Sequence, residues 1–172
     1  MEYFAPGNLP KILILLERWK RKATLIAGGT NVIPEMRAKS LKPDCLIDLS
    51  HLNNLSYIKE DKKKIRIGGL TTISELASSK VIQNYASILF EAANQLGNPL
   101  VRNRATLAGN LADASPAADT AVPLLVLEAT IHTDRNGRKG RQIPIDRFFL
   151  GPNKTVLKKD DKVILMASAA GG

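Results

Sequence analysis

Cysteine is almost missing from this chain of 172 residues: Cys45 stands alone, so no internal disulfide and no paired-cysteine cluster for iron and sulfur can form within it. Set in the run Cys45-Leu46-Ile47, its thiol reads as a small buried hydrophobe rather than a reactive group. Histidine is nearly as scarce. His51 and His132 have no second ligand at metal spacing, which removes a transition-metal centre. Aromatic residues make up only 5% and do not interleave with the basic runs, so no stacking surface for single-stranded nucleic acid is built. No apolar run approaches the length of a bilayer span. Met1 to Asn8 also lacks the basic start and apolar core of a signal peptide. These absences predict a cytoplasmic chain without membrane insertion. The GxSxG elbow, the GxGxxG fingerprint and the GxxxxGK phosphate loop are missing too, which argues against a hydrolase, an NAD-binding Rossmann domain and an NTPase.

Positive charge is what the chain has in excess. Lysine and arginine number 25 against 16 aspartate and glutamate, a net charge of +9. Such a balance attracts polyanions, yet the cations are scattered. Arg18, Lys20, Arg21 and Lys22 close the first helix, Lys62 to Lys64 mark a hairpin tip, and Arg135, Arg138, Lys139 and Arg141 flank another. Helix-end complementarity and solvated faces account for most of them, and no nucleic-acid partner is expected. Hydrophobic residues at 44% suffice for one domain, or for two small lobes sharing a core.

Periodicity gives the layout. Asn8 caps a helix with the stripe Ile12, Leu13, Leu16 and Trp19. Strands at 23–27 and 45–49 flank a short helix over 31–37, a βαβ-like unit that favours parallel pairing. Leu55 to Lys59 and Lys64 to Gly68 read as a hairpin, and a longer helix runs from about Ile82 to Leu96. Strands at Thr130–Thr133 and Arg141–Ile143 bracket an Asn136-Gly137 turn. Lys162 to Ala167 is a last strand, and Ala167 to Gly172 reads as a frayed or processed end. The fold class is α+β, with an N-terminal lobe over about 1–53, a larger mixed lobe over about 54–172, and a weak boundary at 50–56.

Two glycine segments carry the chemistry. Ile26-Ala27-Gly28-Gly29-Thr30-Asn31-Val32 follows the first strand, and Thr106-Leu107-Ala108-Gly109-Asn110 follows a polar stretch holding Asn98, Arg102, Asn103 and Arg104. Glycine admits positive φ and close approach, so consecutive N–H groups can converge on one anion. Two such turns read as a bracket around a diphosphate. After the second come Asp113, Ser115 and Asp119, with Ser115 as N-cap of a helix and Pro116 at its first position, followed by the apolar stretch from Ala117 to Leu127.

The pair AGGTN and TLAGN, with VRN before the second and ASPAAD after it, resembles the FAD-binding (medium) subunit of the molybdenum hydroxylases, the xanthine dehydrogenase and carbon monoxide dehydrogenase family. Tyr3 to Pro6, Cys45 to Leu49, Ile67 to Thr72 and Phe148 to Gly151 match in the same order. The resemblance implies a two-lobed flavin domain of the vanillyl-alcohol-oxidase/PCMH type. It also implies a pyrophosphate held by Ala27 to Asn31 and Thr106 to Asn110, a buried Asp119 near the ribityl chain with Ser115 and Asp113 beside it, and Leu157 or Val156 over the flavin. Ala108 departs from the family's glycine pair, and members continue into a C-terminal domain that is absent after Gly172. The implied function is non-covalent FAD binding, with electrons arriving from molybdopterin on a large partner through 2Fe–2S clusters on a small partner and leaving to NAD, a quinone or oxygen. A domain of the same superfamily with FAD attached through His or Cys is a rival, but neither His51 nor Cys45 sits in a matching turn. The other alternative is a flavin-free scaffold that binds partners only.

Overall fold

The computed structural model describes residues 1–61, 64–134, 140–157 and 162–170, with backbone alone at 61, 134 and 162–170. The first unit begins with β1 (Glu2–Phe4), a strand too short for the sequence pattern to mark, followed by α1 (Leu9–Trp19). The Asn8 side chain accepts the Lys11 amide at 3.1 Å, as an N-cap should. Next come β2 (Ala23–Ile26), α2 (Val32–Arg37) and β3 (Cys45–Asp48). These strands form a parallel sheet in the order β1-β3-β2, so the expected βαβ pairing of β2 with β3 is present. A small core lies on this sheet: Ile12, Cys45, Ile47, Leu49 and Leu52 are buried, with Leu16, Trp19, Leu25, Leu55 and Leu70 against them. Cys45 has no exposure, and burial first, then the Glu2 charge, pushes its thiol up against the opposing pull of Arg18. It is the buried hydrophobe its context predicts.

The second unit is built on an antiparallel sheet. β4 (Ile58–Asp61) and β5 (Lys64–Gly68) form the expected hairpin, whose tip at 62–63 lies outside the described residues. Helices α3 (Ile73–Ser78), α4 (Lys80–Tyr85), α5 (Ser87–Gln95), α6 (Pro99–Arg102), α7 (Leu107–Asp113) and α8 (Ala121–Val126) follow. The continuous helix expected over 82–96 is broken at Ala86, which has φ −148° and ψ 52°. Strands β6 (Thr130–Asp134), β7 (Gln142–Pro144), β8 (Phe149–Gly151), β9 (Lys154–Thr155) and β10 (Lys162–Ala170) follow among the described residues. The Asn136-Gly137 turn lies outside the described residues. The five-stranded order is β4-β5-β10-β6-β7. β10 therefore sits at the centre, with Ala167 to Ala170 paired to Ile67 through Lys64, which corrects the frayed end expected there.

A larger core fills this unit. Leu76, Leu89, Leu107, Leu111, Leu124, Ile131 and Phe148 are each 1% exposed or less. Burying one such side chain contributes about 1.5–3 kcal/mol before entropy is charged against it. The segment 69–73 is then bonded to 105–108: Ile73 N–H donates to the Ala105 carbonyl at 2.9 Å, Leu107 to Thr71 at 3.0 Å and Ala108 to Gly69 at 2.8 Å.

Candidate functional site

Where the two units meet, a cavity of about 480 Å³ opens, lined by Ala27 to Val32 on one side and by Thr106, Ala108, Gly109, Asn110 and Asp113 on the other. Its remaining wall is aliphatic, with Ile12, Leu16, Leu25, Leu49, Leu70 and Leu96 prominent in it. Both glycine segments reach one space, although 74 residues separate Thr106 from Val32 (106 − 32) in the chain.

The first segment supplies donors. It leaves β2 with Gly29 at φ +75°, a conformation glycine adopts without penalty. The amides of Gly28, Gly29, Thr30, Asn31 and Val32 donate to no acceptor among the described residues. These are five consecutive N–H groups without partners, partly buried at Gly28, Gly29, Thr30 and Val32 and exposed at Asn31, an arrangement in which adjacent donors can converge on one acceptor. Gly28 is needed for a second reason. A Cβ built there lands on the Arg104 carbonyl, so this glycine is where the two units touch backbone to backbone.

The second segment differs from the open turn expected. Thr106 is the N-cap of α7, and its hydroxyl accepts the Gly109 amide at 3.2 Å. With Leu107 and Ala108 bonded to Thr71 and Gly69, and Asn110 donating to the Thr106 carbonyl at 3.0 Å, all four amides after Thr106 are engaged inside the protein. The amides assigned there from sequence are therefore not open donors. What α7 offers the cavity is side chains, chiefly Asn110 and Asp113. Ala108 has ordinary helical backbone and is 7% exposed, so its methyl is accommodated without positive φ.

Other expected residues fall elsewhere. Ile26, 8% exposed, lies beneath the first segment, and Leu107, 1% exposed, is core. Ser115 does not start a long helix: its hydroxyl accepts the Ala117 amide at 3.2 Å in a turn, and α8 begins only at Ala121 with Thr120 at its N-cap. Asp119 is exposed rather than buried. Leu157, like Val156, packs against the large core, and Ser115, Asp119 and Leu157 line neither the cavity above nor its neighbour.

That neighbour, of about 460 Å³, shares Ala27, Gly28, Leu52, Leu70 and Thr106 with the first and adds Ser50, Asn53, Ser56, Thr72, Glu75, Asn103 and Arg104. Sequence reading missed most of this wall. The signal for part of it was present, since Thr72 and Glu75 form a capping box at α3, with the Thr72 amide on the Glu75 carboxylate at 2.7 Å. Nothing in the sequence marked Thr120, which hydrogen-bonds the Asn110 side chain. Among the described residues no group of three or more His, Cys, Asp or Glu could hold a metal, and no helix is long and apolar enough to cross a membrane.

Comparison with known proteins matches this geometry to a family. Residues 1–167 fit the model of the FAD binding domain in molybdopterin dehydrogenase. The carbon monoxide dehydrogenase medium chain of Hydrogenophaga pseudoflava is 34% identical over 164 residues, 95% of this chain and 56% of that one. The nicotinate dehydrogenase FAD-subunit of Eubacterium barkeri is 35% identical over 151 residues, 87% of this chain and 51% of its own length. A solved structure of carbon monoxide dehydrogenase from Hydrogenophaga pseudoflava, lacking the Mo-pyranopterin moiety of its molybdenum cofactor, superposes with TM-score 0.95 at 31% identity, covering 100% of this chain and 59% of that one. The chain thus spans little more than half the length of these relatives.

Proposed function

This chain belongs to the family of FAD-binding domains of molybdopterin dehydrogenases, and from that premise we propose that it binds FAD non-covalently in the cavity between its two units. The observation that carries the proposal is the row of open amides from Gly28 to Val32 facing a space that Asn110 and Asp113 close from the other side. Each charge-assisted hydrogen bond from such an amide contributes about 1.5–3 kcal/mol. The pyrophosphate would rest on these amides and on the Thr30, Asn31 and Asn110 side chains. Thr106 shapes the contact as the cap of α7, and Ala27 and Val32 flank the row. The aliphatic wall gives a ring system a dry surface and offers no aromatic partner to stack on. Asp113 is the carboxylate on the cavity wall, suited to accepting hydroxyl protons. Ser115 and Asp119 are proposed for the ribityl end outside that wall, and Leu157 for the cover beyond it.

When bound, FAD supplies the redox chemistry, and the protein's part is binding, orientation and exclusion of water. We read the parallel three-stranded unit and the antiparallel five-stranded unit as the lobes, about 1–53 and 54–172, of a vanillyl-alcohol-oxidase/PCMH-type domain. On this reading the chain is the cytoplasmic flavin component of a molybdenum hydroxylase. It takes electrons from a molybdopterin-bearing large partner through 2Fe–2S clusters on a small partner and passes them to NAD, a quinone or oxygen.

Titration of the purified chain with FAD, followed by quenching of flavin fluorescence, tests the site. Saturable binding at one FAD per chain, competed by ADP but not by riboflavin, is expected, because only ADP shares the diphosphate. Competition by riboflavin with none by ADP would remove the pyrophosphate site from Gly28 to Val32.

A further inference from the structure

We propose that Thr120 is a positioning residue that fixes which end of the Asn110 carboxamide the cavity meets, so that a donor faces a bound diphosphate; the proposal rests on the flavin reading above. Thr120 has no exposure, an unusual setting for a hydroxyl. It occupies the N-cap position of α8, yet its side chain makes no capping bond to that helix. The hydroxyl is turned instead to the Asn110 Oδ1 on α7. A cap hydroxyl used on its own helix ordinarily stabilises it by about 1 kcal/mol. Here that contribution is forgone for a bond to a residue on the cavity wall.

The consequence follows from the chemistry of the carboxamide, which has one accepting end and one donating end. With Oδ1 held by Thr120, the Nδ2 group has no acceptor among the described residues, and Asn110 lines the cavity beside Gly109 and Asp113. The Asn110 amide is already bonded to the Thr106 carbonyl, so the backbone is set and side-chain orientation is the freedom left. A flipped carboxamide would point its oxygen at the anion and, although Nδ2 would then donate to the Thr120 oxygen, would take from the buried hydroxyl proton the acceptor it has in Oδ1, a double cost. Thr120 thus acts on the ligand through Asn110 and does not touch it.

The test is FAD titration of the parent chain, Thr120→Val, Thr120→Ser, Asn110→Ala and the Asn110→Ala/Thr120→Val double variant, with far-UV circular dichroism on each. Thr120→Val keeps the volume and removes the hydroxyl. It is expected to raise the FAD dissociation constant about tenfold, or ~1.4 kcal/mol, while Thr120→Ser restores near-parent binding. In the Asn110→Ala background Thr120→Val should add no further loss. Binding by Thr120→Val equal to the parent, or an equal loss in the Asn110→Ala background, overturns the proposal. If Thr120→Val fails to fold, the contrast between Thr120→Ser and Thr120→Ala decides in the same way. A parent that binds no FAD overturns the flavin reading itself, whereas a binding parent with an indifferent Thr120→Val overturns only the role of Thr120.

Discussion

Gly28 shows how much one missing Cβ can determine. Its open amide belongs to the row proposed to hold the diphosphate, and the bare α-carbon is where the backbone of Arg104 comes closest. Gly28→Ala is expected to cost about 1–3 kcal/mol through overpacking and to weaken FAD binding as well, because the first segment must move off the 104–105 backbone. An unchanged urea midpoint would show that the contact is looser than described. The glycine pair was legible in the sequence as a phosphate-binding candidate. Its contact with Arg104 was not, since no local pattern encodes an approach between segments 76 residues apart (104 − 28).

Asp48 governs the loop beside the second cavity. Its carboxylate accepts the Tyr3 hydroxyl at 2.7 Å and the Ser50 amide at 2.8 Å, tying β1 to the chain after β3. Burial pushes its pKa up, but the Ser50 and Tyr3 hydrogen bonds and the His51 charge outweigh that and hold it below its ordinary value. The same bond raises the Tyr3 phenol. Because the folded carboxylate binds protons less readily than the unfolded one, its contribution to stability is present above about pH 4 and is lost as the pH falls through the folded value. Denaturation from neutral pH down to pH 3 should therefore show a smaller loss in Asp48→Asn than in the parent. An equal loss in both would mean that Asp48 is not the group responsible.

Among the elements, α7 is the one whose character changed most between sequence and structure. The Leu-Ala-Gly-Asn run carries a glycine and suggested a turn, but Thr106 caps it and Gly69 and Thr71 take its first amides, so it is a helix start. Tertiary bonding overrode local propensity there. Thr106→Ala should lower stability by about 1 kcal/mol in urea denaturation, with Thr106→Ser retaining most of it; no change in Thr106→Ala would mean the cap is replaceable. The break at Ala86 is a comparable case. Alanine is the best helix former, and Ile82, Leu89, Ala93 and Leu96 kept a helical period across it, so nothing local marked the division into α4 and α5. In contrast, the Asn8 cap and the β2–β3 unit were readable because their determinants lie within a few residues of one another.

At the scale of the molecule, two cores lie on two sheets, and the cavity opens where they adjoin. The order of strands could not be read from the chain. β10 enters between β5 and β6, and a last strand carries no local signal that it will be central rather than an edge. Ser115, Asp119 and Leu157 stand outside the cavity for the same reason, since the resemblance fixed their place in sequence but not the path of the chain after α7.

The account stands on flavin binding by this chain, and the visible absorption spectrum of the purified protein, followed by chromatography of what acid releases, tests it most directly. The account predicts a flavin spectrum and one FAD per chain, released intact because it is not covalently held. A colourless protein that leaves added FAD fluorescence unquenched would contradict it and turn the same fold into a scaffold for partners.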